Sequence, residues 1–342
     1  MRVLIVGCGY VGLPLGAELV KQGHEVFGLR RSPGAAVLLK AAGLELLVGD
    51  ISQPEELARL PAACDWVVNC VSASRGGAQE YREVYLRGMR NLVEWLSAAP
   101  PNNFVYTSST SVYGQNDGSL VEETSPTEPA VETGKILVET ERVLLAAAQE
   151  EIRRRSDALC APEPGRDAFH RVRDFAGKEW DAVERVPTRF RGRRFPAVIL
   201  RLAGIYGPDR GYWFGQYVNK EARIEGDGSR ILNMIHRDDV IGAIIAALKC
   251  GQPGQIYNAV DNEPVTQLAF FKWLSGALGG ELPPSVPEAP EAVRKRGLTN
   301  KKVSNLRLRR ELGYQFKYPT FREGYTAEIL RLTPARESIT GS

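Results

Sequence analysis

The chain opens on an unbroken apolar run, Val3 to Val6, breaks at a cluster of glycines, and resumes with Val11, Leu15 and Leu19 at every fourth position. A short run without polar alternation marks a strand buried on both faces, and the spacing after it is that of a helix with one apolar stripe. The unit recurs. Further strands are predicted at Glu25 to Leu29, Leu44 to Val48, Trp66 to Val71, Phe104 to Ser108, Phe195 to Leu202 and Gln255 to Ala259. Helices are predicted at Glu80 to Leu96, Gly134 to Gln149 and Asp238 to Lys249. Buried strands alternating with helices predict an α/β fold: a Rossmann-type, doubly wound parallel sheet with a smaller C-terminal substrate domain.

The predicted division gives residues 1–205 to the NAD(P)-binding domain, with 235–260 packing back on it. Residues 206–234 and 261–332 form the substrate domain, where aromatic residues gather (Tyr206, Tyr212, Trp213, Phe214, Tyr217), and 333–342 is a frayed tail. Between the helix ending near Gln149 and the strand at Phe195 lies an insert, 151–195, with twelve basic against eight acidic residues. Its apolar positions Phe169, Val172, Ala176, Trp180 and Val183 fall at helical spacing, so it is expected to be an amphipathic helix docked by one face.

Composition narrows the function. Hydrophobic residues at 43% and charged residues at 25% are those of a folded globular protein, and a net charge of +3 over 342 residues argues for neither a nucleic-acid nor a membrane partner. Five scattered cysteines point to free thiols in a reducing compartment, and three distant histidines point away from a zinc site, so no metal is expected. The apolar N-terminus is broken by Gly7, Gly9, Gly12, Pro14 and Gly16, unlike a signal peptide, and no other stretch has the length of a membrane span. A cytoplasmic protein with a small-molecule substrate is expected.

The sharpest local signal is Gly7-Cys8-Gly9-Tyr10-Val11-Gly12, a G-x-G-x-x-G that follows a strand and opens a helix. Its first glycine permits the tight turn, the second admits a pyrophosphate against the backbone, and the third lets helix and strand pack closely. Tyr10 and Val11 lie within that cradle. After the second strand, where an acid would receive the ribose hydroxyl of NAD, stand Arg30 and Arg31. Two guanidiniums suit a 2′-phosphate, so NADP(H) is the expected cofactor and NAD the alternative. Asp50 and Ile51 after the third strand are assigned to the adenine end, and Ser72 after the fourth to the same cofactor.

These residues, with Gly49-Asp50-Ile51, Tyr106 to Gly114 (YTSSTSVYG), Glu123-Thr124-Ser125-Pro126, Arg201 to Pro208 (RLAGIYGP), Ile235 to Val240 (IHRDDV) and Ile256-Tyr257-Asn258, resemble the extended short-chain dehydrogenase/reductase superfamily. That group includes nucleotide-sugar epimerases and dehydratases, and the resemblance spans almost the whole chain. It implies that Ser109 orients the substrate oxygen, that Lys135, supported by Glu139, binds the nicotinamide ribose, and that Arg201 and Tyr206 face the substrate. It also implies a homodimer through the helices Glu80 to Leu96 and Gly134 to Gln149.

The sequence departs from the family pattern in three places. Only Cys8 separates the first two glycines, where the family usually has two residues. The tyrosine of the Tyr-x-x-x-Lys pair is replaced by Val131, which carries no proton to transfer. The arginine that meets a nucleotide diphosphate, four residues before His236, is Leu232, with Arg230 nearby. The resemblance is therefore nearest to tyrosine-deficient, atypical members. Tyr113, Tyr106, Glu132 and Glu123 are candidate replacement acids. Two functions remain open: an NADP(H)-dependent oxidoreductase or epimerase acting on a small carbonyl or sugar-like compound, and a catalytically inactive dinucleotide-binding sensor or scaffold.

Overall fold

The computed structural model describes residues 1–73, 76–149, 171–173, 179–181, 195–287 and 299–332. Seven strands form one parallel sheet: β1 (Arg2–Val6), β2 (Glu25–Arg30), β3 (Glu45–Val48), β4 (Trp66–Asn69), β5 (Asn103–Ser109), β6 (Ala197–Leu202) and β7 (Ile256–Ala259). Their order across the sheet is β7-β6-β5-β4-β1-β2-β3, so the winding reverses between β1 and β4. At such a reversal the loops leaving the carboxyl ends of adjacent strands diverge and open a crevice. The glycine-rich segment leaves β1 there, and Ser72 follows β4 there.

The helices connecting these strands include α1 (Gly12–Lys21), α2 (Ala36–Ala41), α3 (Pro54–Leu57), α4 (Ala78–Tyr81), α5 (Gly88–Ser97) and α6 (Glu132–Gln149). The apolar runs of the strands, represented by Leu4, Phe27, Val67 and Phe104, are fully buried against Met89, Leu92 and Leu96 of α5 and Leu144 of α6. The predicted helix from Glu80 to Leu96 is not uniform. A π-helical turn, Arg82–Arg87, joins α4 to α5. Gly88, at its end, lies where a Cβ would stand 2.6 Å from Ile51 Cδ1, so a larger residue there would displace the Ile51 side chain after β3.

The chain divides into two compact units. The first comprises Met1–Ser108, Glu132–Leu200 and Ile244–Ile256; the second comprises Ser109–Val131, Arg201–Ala243 and Tyr257–Ser342. The helix α7 (Arg237–Cys250) begins in the second unit and ends in the first. The second unit has its own core, built on α8 (Gln267–Leu278) and α9 (Phe321–Leu332), where Phe270, Phe271, Leu274 and Phe321 are buried with Tyr206 and Tyr325. No helix among the described residues is long and apolar enough to cross a membrane.

The insert differs from expectation. Where a helix was predicted through Val172 and Trp180, Arg171–Arg173 and Glu179–Asp181 pair as antiparallel strands, with Val172 opposite Trp180. β-Branched and aromatic residues such as Val172 and Trp180 favour extended backbone, which outweighs their helical spacing. The other insert positions named above, Phe169, Ala176 and Val183, lie outside the described residues, as does the tail from 333.

Candidate functional site

The glycine loop is built as its spacing requires. Gly7 has φ +92°, and a Cβ on it would lie 2.8 Å from the Val71 backbone, so the turn and its approach to β4 both demand glycine. A Cβ on Gly12 would lie 2.3 Å from the Gly7 carbonyl oxygen, which fixes the close start of α1. Gly9 differs from both: a Cβ there would meet no atom within 4 Å. The space over Gly9 is thus open, as a backbone surface that receives a ligand must be. Leu13 N–H donates to Gly9 O at 3.1 Å, and α1 carries no acidic residue in its first turn. An unneutralised helix N-terminus of this kind attracts an anion.

Behind the loop, Arg30 Nη1 donates to the Cys8 carbonyl oxygen at 2.5 Å, while Gly9 N–H donates to Gly7 O at 2.9 Å. The Cys8 thiol points away from solvent and donates to Ile5 O at 3.6 Å; burial pushes its pKa up to about 12 against the opposing pull of Arg30. It is a packing group, not a nucleophile. Arg30 is half-buried, and Arg31 is exposed with no hydrogen bond or ion pair among the described residues. Asp50 caps its own turn, accepting from the Ser52 amide and hydroxyl at 2.8 Å each, and Ile51 is buried beneath it. Ser72 is exposed after β4. The sequence singled out all these positions, but not the Arg30–Cys8 contact, which joins residues 22 apart.

On α6, Lys135 is exposed in the first turns, between Glu132 and Glu139 on the same face. Arg82, from the π-helical turn, reaches both acids: Nη2 pairs with Glu132 and Nη1 lies 3.8 Å from Glu139. This clamp, which sequence reasoning missed, fixes the helix that presents Lys135. Val131, just before α6, is 36% exposed.

Ser109 Oγ accepts from the Ser111 amide at 3.2 Å, capping the strand end, whereas the neighbouring Ser108 is buried and donates to Glu141 at 2.6 Å. Of the candidate acids, Tyr106 is fully buried and desolvation raises its pKa well above the phenol range. Tyr113 is also fully buried, with its hydroxyl donating to Asn258 Oδ1 and accepting from Arg201 Nη1, each at 2.8 Å. Glu132 is held by Arg82. Glu123 is half-buried, accepts from the Asn258 amide at 2.8 Å, and is shifted upward mainly by desolvation.

Arg201 is 3% exposed and stacks over the Tyr113 ring at 4.8 Å. Tyr206 is placed in the core of the second unit, its ring stacked on Tyr325 at 4.2 Å and its hydroxyl against the Gly324 backbone. Its position is one of packing. Lys301, which the sequence did not single out, is also buried; its ammonium donates to Thr299 Oγ1 and to Tyr113 O at 3.1 Å. Desolvation lowers its pKa from 10.5 to about 8. Between those values the unfolded chain holds a proton that the folded chain lacks, so stability should rise with pH. Urea unfolding of wild type against Lys301→Met should show a wild-type gain of about 3 kcal/mol from pH 8 to 10.5, absent in the variant. Parallel curves would contradict the burial of a charged amine.

A seven-stranded parallel sheet with a glycine loop at its winding reversal defines a Rossmann-type α/β protein. Residues 3–136 match the model of the NAD dependent epimerase/dehydratase family. Protein YeeZ of Escherichia coli K12 is 27% identical over 325 residues, 93% of this chain and 96% of YeeZ. A solved structure described as a putative NAD-dependent epimerase/dehydratase from Methylobacillus flagellatus is 28% identical, with a TM-score of 0.66 over 96% of this chain and 98% of that one. The dTDP-glucose 4,6-dehydratase DesIV from Streptomyces venezuelae, solved with NAD bound, shares the fold at a TM-score of 0.70 over 96% of each chain, with 20% identity.

Proposed function

We propose that the chain is an NADP(H)-dependent oxidoreductase or epimerase of small carbonyl or sugar-like compounds, of the tyrosine-deficient type. The observation that carries this reading is the open surface over Gly9 at the unneutralised start of α1, with Arg30 and Arg31, and no acid, at the end of β2. The residues fit a dinucleotide: the glycine loop receives its pyrophosphate, the basic end of β2 its 2′-phosphate, and Lys135 its nicotinamide ribose. The bound dinucleotide supplies hydride exchange at a substrate carbon. Val131 supplies no proton, and Tyr113, Tyr106, Glu132 and Glu123 are the candidates to replace it.

Titration of wild type with NADPH and NADH tests the cofactor, and NADPH should bind more tightly. A screen of carbonyl and sugar compounds for NADPH oxidation tests turnover. Lys135→Ala should weaken NADPH by about 1–2 kcal/mol, the scale of one charged hydrogen bond. The valine at 131 also favours a second reading, a dinucleotide-binding sensor without chemistry. Unchanged NADPH affinity in Lys135→Ala, together with no turnover across the screen, would put that reading first.

A further inference from the structure

The two arginines after β2 look equivalent in the sequence, but the structure treats them differently. Arg30 is half-buried and its Nη1 is committed to the Cys8 carbonyl at 2.5 Å; Arg31 is exposed and makes no hydrogen bond or ion pair among the described residues. The Cys8–Gly9 peptide is consequently held at both ends, its carbonyl by Arg30 and its N–H by Gly7 O at 2.9 Å. Only one residue separates the first two glycines, so this peptide is the whole of the turn between them. Fixing its plane fixes where the Gly9 backbone and the start of α1 face.

We propose that Arg30 braces the glycine loop and supports the dinucleotide through its pyrophosphate, whichever the cofactor, while Arg31 alone discriminates NADP(H) from NAD(H). This rests on the cofactor reading above and divides its labour. A guanidinium beside the cradle adds positive potential to the helix N-terminus, a contribution common to both dinucleotides. Arg31 has its full set of donors available for a phosphate that only one of them carries. Charge at the end of β2 is therefore a specificity device at position 31 and a structural one at position 30.

The test is a matrix of binding titrations on the full chain. Arg31→Ala should weaken NADPH by about tenfold or more and leave NADH within about twofold of wild type, the scale of one charge-assisted contact. Arg30→Ala should weaken both by a similar factor and leave their ratio unchanged, and Arg30→Lys, which keeps one donor, should recover part of the loss. Amide hydrogen exchange of the apo protein supplies a readout that needs no cofactor: exchange across Gly7 to Gly12 should quicken in Arg30→Ala and not in Arg31→Ala. A selective NADPH loss in Arg30→Ala, or loop exchange equal to wild type in that variant, overturns the division. Failure of wild type to bind either dinucleotide would instead sink the cofactor reading, and the exchange result would still decide whether Arg30 is a brace.

Discussion

Gly9→Val should raise the NADPH dissociation constant by about a hundredfold or more, the loss of two charged backbone contacts to a pyrophosphate, while the thermal midpoint stays near wild type. The asymmetry comes from the surroundings of the three loop glycines. A side chain on Gly9 projects into empty space, so the fold tolerates it, yet it occupies the surface a pyrophosphate needs. Gly12→Ala has the opposite profile, since its Cβ would press on the Gly7 carbonyl at 2.3 Å and the helix must shift. Measured together by calorimetry and cofactor titration, the pair separates binding from folding. If Gly9→Val keeps wild-type NADPH affinity, the loop is not the cradle.

The second large effect is expected in the second unit, at Asp239. This residue is completely buried, and one carboxylate oxygen accepts from the Tyr314 hydroxyl at 2.8 Å and the Lys317 amide at 2.6 Å. The other accepts from the Tyr318 amide at 3.0 Å. Asp239→Ala leaves all three donors without their acceptor and should cost about 3–5 kcal/mol, seen as a lower urea midpoint. Asp239→Asn keeps an acceptor and should cost clearly less. Equal, small losses in both variants would show that the 314–318 segment is held by other contacts.

The sheet was readable from sequence because its strands are buried on both faces and therefore appear as short apolar runs bounded by glycine. Each predicted strand appears, with ends displaced by a few residues, as at Trp66–Asn69 and Ala197–Leu202. The glycine loop was equally plain, since its three positions encode steric needs that only glycine meets. What escaped depends on distance through space. The Arg82 clamp joins a π-helical turn to α6 across 50 residues, and no local pattern records it. The family resemblance placed Tyr206 at the substrate, and its ring stacks in an aromatic core assembled from remote segments. Ser109 shows the same limit: a hydroxyl at a strand end can cap a turn or meet a substrate, and its acceptor contact with Ser111 emerges only from geometry. The insert failed for a different reason, because Val172 and Trp180 satisfy helical spacing while preferring extended backbone.

The division of the chain into interleaved segments bears on how it is made. The first unit is completed only by Ile244–Ile256, and the second draws on Ser109–Val131 as well as the C-terminal third. Neither unit is a single contiguous stretch, so the first cannot be finished until much of the second has also been synthesised. Emerging at about 5–20 residues per second, strands β1 to β5 must wait for the strand that ends their sheet, their apolar faces incompletely covered. Such a protein depends on late residues to secure early ones, and premature termination before residue 256 yields a product with an unfinished sheet edge, open to pairing with another chain.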